Sequence, residues 1–224
     1  MNVFVLCTGR CGSNTFARAC SHITNYSSAH ESQRGRLDRE YPENHIEVDN
    51  SLSRLLGELD DRYGDDAFYV HLRRDREDTA RSFERGWEKS PKTVVEAHAT
   101  LVGGLVSKKP VLDICRHYCK SVNLNIELFL KDKTNSMEVR LESAKKDFRE
   151  FWNQVDAEGN LNDSLSEWDR NYNASDSTDR PTTEPEVETN PFVRTVYEVG
   201  RIPIRVARKT GRVLRKLPRF LKRA

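Results

Sequence analysis

The chain has 224 residues, 36% hydrophobic and 32% charged, with a net charge of +2 at pH 7. That suits one small domain carrying solvated segments, and the absence of any run of 18 apolar residues excludes a helix that spans a membrane. The N-terminus runs straight into strand-like sequence, without the basic flank, apolar stretch and small-residue cleavage site of a secretory signal, so a cytoplasmic protein is expected.

Residues 2–7 read as a buried strand, and the turn Thr8-Gly9-Arg10-Cys11-Gly12 leads into a helix over 13–22. Gly9 and Gly12 allow left-handed backbone, and the N–H groups of Gly12, Ser13, Asn14 and Thr15 would face an anion at a helix N-terminus. The match to the nucleoside-triphosphate loop G-x-x-x-x-G-K-[ST] fails, because no lysine follows the second glycine; the cation is Arg10, inside the turn. A phosphate-like ligand other than ATP with magnesium is expected.

Asn25–Ala29 is predicted as a second strand running out at His30-Glu31, followed by an Arg-rich loop, Ser32–Asn44, broken by Pro42. His45–Asp49 is strand-like, and apolar residues at 52, 55, 56 and 59 predict a helix over Ser51–Tyr63. Ala67–Leu72 is a clear strand, and Asp75–Phe83 opens a helix with an acidic first turn. Ser90-Pro91 has the form of an N-cap and first helical residue, for a helix toward Leu101 that Gly103-Gly104 stops. A longer helix runs from Val111 to about Leu130, then a strand at Met137–Leu141 and a helix through Asp147–Trp152. Strands alternating with helices predict an α/β fold: three layers, α/β/α, around a central parallel sheet of the P-loop nucleotide-binding type.

The domains expected are an α/β body over 1–174, a polar linker over 175–190 and a basic tail over 191–224. The linker stretch is Ser-, Thr-, Asp-, Glu- and Pro-rich and is read as disordered. The tail holds eleven Lys/Arg and one acidic residue, Glu198, leaving 26 basic and 34 acidic residues in 1–190. Its apolar residues, among them Val213, Leu214, Leu217, Phe220 and Leu221, recur at helical spacing. An anionic membrane surface is its expected partner, with an arm folded on the acidic body as the bland alternative. Sparse aromatics argue against nucleic acid. The five cysteines at 7, 11, 20, 115 and 119 are read as reduced core thiols, because the neighbouring histidines do not complete a zinc knuckle.

A second anion motif is Leu72-Arg73-Arg74-Asp75 with Ser82 two turns further on. In a parallel sheet all strand C-termini share one edge, so Arg74 and Ser82 meet the first turn across one crevice. Here the chain resembles the sulfotransferases that use 3′-phosphoadenosine-5′-phosphosulfate (PAPS). Thr8–Thr15 is similar to their 5′-phosphosulfate loop, Arg74 with Ser82 to their 3′-phosphate motif, and Met137–Glu142 with Phe148–Trp152 to their late strand and aromatic helix. The likeness covers roughly residues 1–174. Arg76 stands where the family usually has proline. Arg10 stands where many members have lysine, which leans toward the carbohydrate- and tyrosine-directed branches.

The resemblance implies in-line transfer of a sulfuryl group from PAPS to an acceptor hydroxyl, on a carbohydrate or glycolipid, by a chemistry that calls for no metal. Gly9, Arg10, Cys11, Gly12, Ser13, Asn14, Thr15, Arg74 and Ser82 would hold the donor, Arg10 also stabilising the leaving oxygen. Glu31 is the first candidate for the base, at about the place where tyrosyl and several bacterial members carry a catalytic glutamate. His30 is the second candidate and Asp49 the third. Arg170 is a candidate to close over the nucleotide, and Trp87 to shape the acceptor pocket. The competing readings are a P-loop nucleotide kinase or NTPase and a non-catalytic membrane-associated adaptor.

Overall fold

The computed structural model describes residues 1–87, 94–103, 110–170 and 172. Five parallel strands form one sheet: β1 (Val3–Cys7), β2 (Ser27–His30), β3 (His45–Val48), β4 (Phe68–Arg73) and β5 (Ser136–Arg140), in the order β2-β3-β1-β4-β5. β1 is central and buried along its whole length, which is why its sequence is apolar without alternation: both faces of the sheet are covered.

The alternating side chains of β1 feed two separate cores. Val3, Val5 and Cys7 join Phe16 of α1 (Ser13–Cys20) on one face. Phe148, Phe151 and Trp152 of α6 (Ala144–Gln154) and Leu165 of α7 (Leu161–Ser166) complete that cluster. Phe4 and Leu6 point the other way. They meet Leu59 of α2 (Leu56–Tyr63), Phe83 of α3 (Arg76–Gly86), Val95 of α4 (Val94–Gly103) and Tyr118 and Ile126 of α5 (Val111–Leu130). The chain therefore leaves β1 over one face and leaves β4 over the other. The crevice between the carboxyl ends of those two strands is the topological switch point of the sheet, where open α/β sheets take ligands.

Two helices differ from the sequence reading. The segment expected as one helix over 51–63 is split into a 3-10 turn, Asn50–Arg54, and α2. The apolar period runs unbroken, but Ser53 is tied to β1: its hydroxyl accepts from the Cys7 amide (3.1 Å) and donates to the Cys7 carbonyl (2.9 Å). That pins the first turn, and Leu55 at φ −118°, ψ 29° breaks the helical run before α2 starts. Similarly, α1 stops at Cys20, where the Ser21 hydroxyl donates to the Arg18 carbonyl at 2.7 Å.

Ser90-Pro91, Gly104, the linker and the basic tail lie outside the described residues. No helix among the described residues is long and apolar enough to cross a membrane. All five cysteines are free and buried.

Candidate functional site

The turn after β1 takes a left-handed path at three positions: Gly9 (φ 80°), Arg10 (φ 59°) and Gly12 (φ 91°). For an arginine this is an uncommon conformation, of the kind that clusters at binding sites. The surroundings hold it there. The Tyr118 hydroxyl donates to the Thr8 carbonyl (2.7 Å) from behind, and Ser53 clamps Cys7. Cys11 is fully buried. Its thiol faces Cys7, whose own thiol is pushed well above the usual range by the hydrogen bond between them and by burial. Cys11 can therefore offer a ligand only its backbone. Gly12 is the N-cap of α1, and no side chain caps that helix and no acidic residue stands in its first turn. The first intrahelical bond is Phe16 N to Gly12 O at 2.9 Å, so the amides of Ser13 to Thr15 precede the ladder and open toward the crevice.

The two motifs separated by more than sixty residues meet here. Arg10 Nε donates to Ser82 Oγ at 3.2 Å, and Arg74 Nη1 to the Arg10 carbonyl at 3.5 Å. Ser82 belongs to the buried face of α3, whose start is fixed by Asp75: its carboxylate accepts from the Asp78 amide at 2.9 Å. Glu142, just past β5, accepts from the Asp75 amide at 2.7 Å and so ties the end of β5 to the same loop. Burial, with the Arg85 and Arg74 guanidiniums nearby, pulls Arg10 below the ordinary arginine range. It stays protonated at neutral pH. Arg74 also pairs with Asp78 at 3.9 Å, and the guanidiniums together give this sheet edge a positive field.

The base candidates approach from β2. His30 reaches across to α1, with Nε2 3.2 Å from Ser13 Oγ. Glu31 is itself left-handed (φ 52°); its Oε1 accepts from Asn50 Nδ2 at 2.7 Å and its Oε2 from Arg34 Nη1 at 2.9 Å. Asn50 in turn lies against the turn after β1: a Cβ on Gly9 would stand 3.4 Å from its Nδ2. Asp49 is built otherwise. It is 1% exposed, and its carboxylate caps the 3-10 turn by accepting from the Ser51 amide (2.7 Å) and hydroxyl (2.8 Å). Arg39 adds a contact at 3.5 Å. Those bonds cap the 3-10 turn and occupy both carboxylate oxygens of Asp49.

The other sequence candidates fall outside this cluster. Arg170 bonds Glu167 (3.3 Å) and Tyr172 (3.3 Å) beside α7. His71 faces α5 and bonds Asn123 at 3.1 Å; burial pushes it down to about 4. Arg73 turns to Glu127 and Glu138, away from Arg10. Trp87 packs against the α5-side core, and its following segment lies outside the described residues. Asn50, Arg85 and Tyr118 were not singled out by the sequence reading. Only Arg85 left a trace, standing one helical turn after Ser82 on the same helix.

A cleft of about 570 Å³ adjoins the site beyond Arg74, with a lining of mixed charge that includes Arg73, Arg76 and Arg140 as well as Glu77, Glu127 and Glu142. Among the described residues no group of three His, Cys, Asp or Glu is arranged to hold a metal ion. No family model, curated protein or solved structure matches the chain.

Proposed function

We propose that this chain is a sulfotransferase of the P-loop type, moving the sulfuryl group of PAPS to a hydroxyl of a carbohydrate or glycolipid acceptor. The observation that carries the reading is the contact of Arg10 with Ser82 and Arg74, which joins the two resembling motifs at the sheet's switch point. One adenosine carrying an anion at each end would satisfy both. The acceptor oxygen attacks sulfur in line as the bond from sulfur to the 5′-phosphate oxygen breaks. Charge then develops on that phosphate, where Arg10 and the amides of Gly12 to Thr15 stabilise it. Glu31 takes the acceptor's proton, and His30 holds Ser13 at the helix entrance. The basic tail, 191–224, is proposed to bring the enzyme to an anionic membrane surface on the cytoplasmic side.

Thermal unfolding with 3′,5′-ADP against ATP with magnesium tests the reading. A bisphosphate at a hundred times its Kd stabilises by about 2.7 kcal/mol, which raises Tm by about 5–10 °C for a chain of this size. Arg74→Ala should abolish that rise. Stabilisation by ATP with magnesium alone would favour a kinase or NTPase. Stabilisation by neither would favour the adaptor.

A further inference from the structure

We infer that Asn50 is a positioning residue for this transfer, holding the Glu31 carboxylate against the phosphate turn so that Oε2 is the atom that receives the proton. The inference rests on the function proposed for this site. Three bonds fix the backbone around Glu31. Its own amide donates to the Val48 carbonyl at 3.1 Å. The amide and hydroxyl of the next residue, Ser32, donate to Glu47 at 2.8 Å and 2.5 Å. Glu47 is fully buried on β3, and His45 Nε2 bonds its carboxylate at 3.0 Å. This anchor keeps Glu31 in its left-handed conformation and aims its side chain over the end of β3.

There the two carboxylate oxygens meet unlike partners. Oε1 takes the amide of Asn50, a neutral donor lodged beside Gly9 and on the same side of the sheet edge as the turn. Oε2 takes Arg34, whose side chain is 73% exposed against 20% for Glu31. An exposed ion pair of this kind contributes little and gives way easily, whereas the Asn50 bond is short and sheltered. Approach of an acceptor therefore displaces Arg34 and frees Oε2 while Oε1 stays fixed. An amide serves this role where a lysine or arginine would not, because it orients the carboxylate without neutralising it.

The test uses the full-length protein and labelled PAPS, with water as the acceptor. Water's oxygen bonds to sulfur, the sulfur–oxygen bond to the 5′-phosphate breaks, the proton goes to Glu31 and 3′,5′-ADP leaves. Asn50→Ala should lower kcat at least tenfold with KM for PAPS and affinity for 3′,5′-ADP within about twofold of the wild type. Asn50→Asp should be slower still, since it sets a carboxylate against Glu31. A packing role gives the opposite order, because Asp is nearly isosteric with Asn. In a double-mutant cycle, Asn50→Ala should cost little once Glu31→Gln is present. Multiplicative losses in that cycle, or an Asp variant faster than the Ala variant, overturn the role of Asn50 alone. Full turnover by Glu31→Gln removes the base and the inference together, and a wild type that neither binds 3′,5′-ADP nor turns over PAPS overturns the proposed function itself.

Discussion

Replacing Gly12 with alanine separates two costs that the turn after β1 combines. At φ 91° an L-residue meets the left-handed penalty, about 1–2 kcal/mol. The added Cβ would also stand 2.8 Å from Leu141 Cδ1 and 3.6 Å from the Trp168 ring. Leu141 is only half-buried and its methyl end can shift, so overpacking adds a value toward the lower part of the usual range, about 1–2 kcal/mol. The sum is about 2–4 kcal/mol, a large fraction of the 5–15 kcal/mol typical of a domain. Gly35 supplies the control. It has nearly the same φ, 82°, with nothing within 4 Å of the point where a methyl group would stand, so Gly35→Ala carries the backbone penalty alone. Urea denaturation should show a midpoint drop about twice as large for Gly12→Ala as for Gly35→Ala, at unchanged m. Equal midpoints for the two variants would refute the close packing of Leu141 and Trp168 over Gly12.

Glu31→Gln should reduce turnover of PAPS by roughly 10²–10⁴ while leaving 3′,5′-ADP affinity nearly intact, measured by initial rates and calorimetry. Tyr118→Phe keeps the ring but deprives the Thr8 carbonyl of its donor, so a loss of about 1–3 kcal/mol is expected in urea, together with weaker bisphosphate binding. His71 is buried and depressed to about 4, so between that value and its unfolded value near 6.5 the unfolded chain binds more protons. Stability due to this group is thus present above about pH 6.5 and lost as pH falls toward 4; His71→Gln should flatten that part of the urea-midpoint profile between pH 4.5 and 7. Deleting residues 191–224 should abolish co-sedimentation with phosphatidylserine-containing vesicles, and unchanged sedimentation excludes the tail as the anchor.

Much of the fold was legible because the strands are extreme. Val3–Cys7 is apolar on both faces and Phe68–Leu72 nearly so, His71 excepted, and only a doubly covered sheet buries such runs. That the turn after β1 and the segment carrying Arg74 and Ser82 share one edge followed from parallel strand ends, whereas the direct bond from Arg10 to Ser82 did not. Legibility ended where register and helix roll take over. Leu52, Leu55, Leu56 and Leu59 keep a helical period, yet a hydroxyl bonded to β1 divides the segment, and periodicity carries no trace of that bond. Asp49 and Asn50 are adjacent, of nearly the same shape and both polar. One turns inward to cap and the other toward Glu31, where the chain leaves β3 with the Asp49 amide still bonded to the Val5 carbonyl.

The central place of β1 has a consequence for synthesis on the ribosome. Its hydrogen-bonding neighbours begin at Ile46 and Phe68, so β1 has no partner until about forty further residues have been made. At 5–20 residues per second that interval is about 2–9 s. During it, five apolar residues with unpaired edges wait in the nascent chain, and the turn after β1 cannot take its place until both flanking strands have emerged.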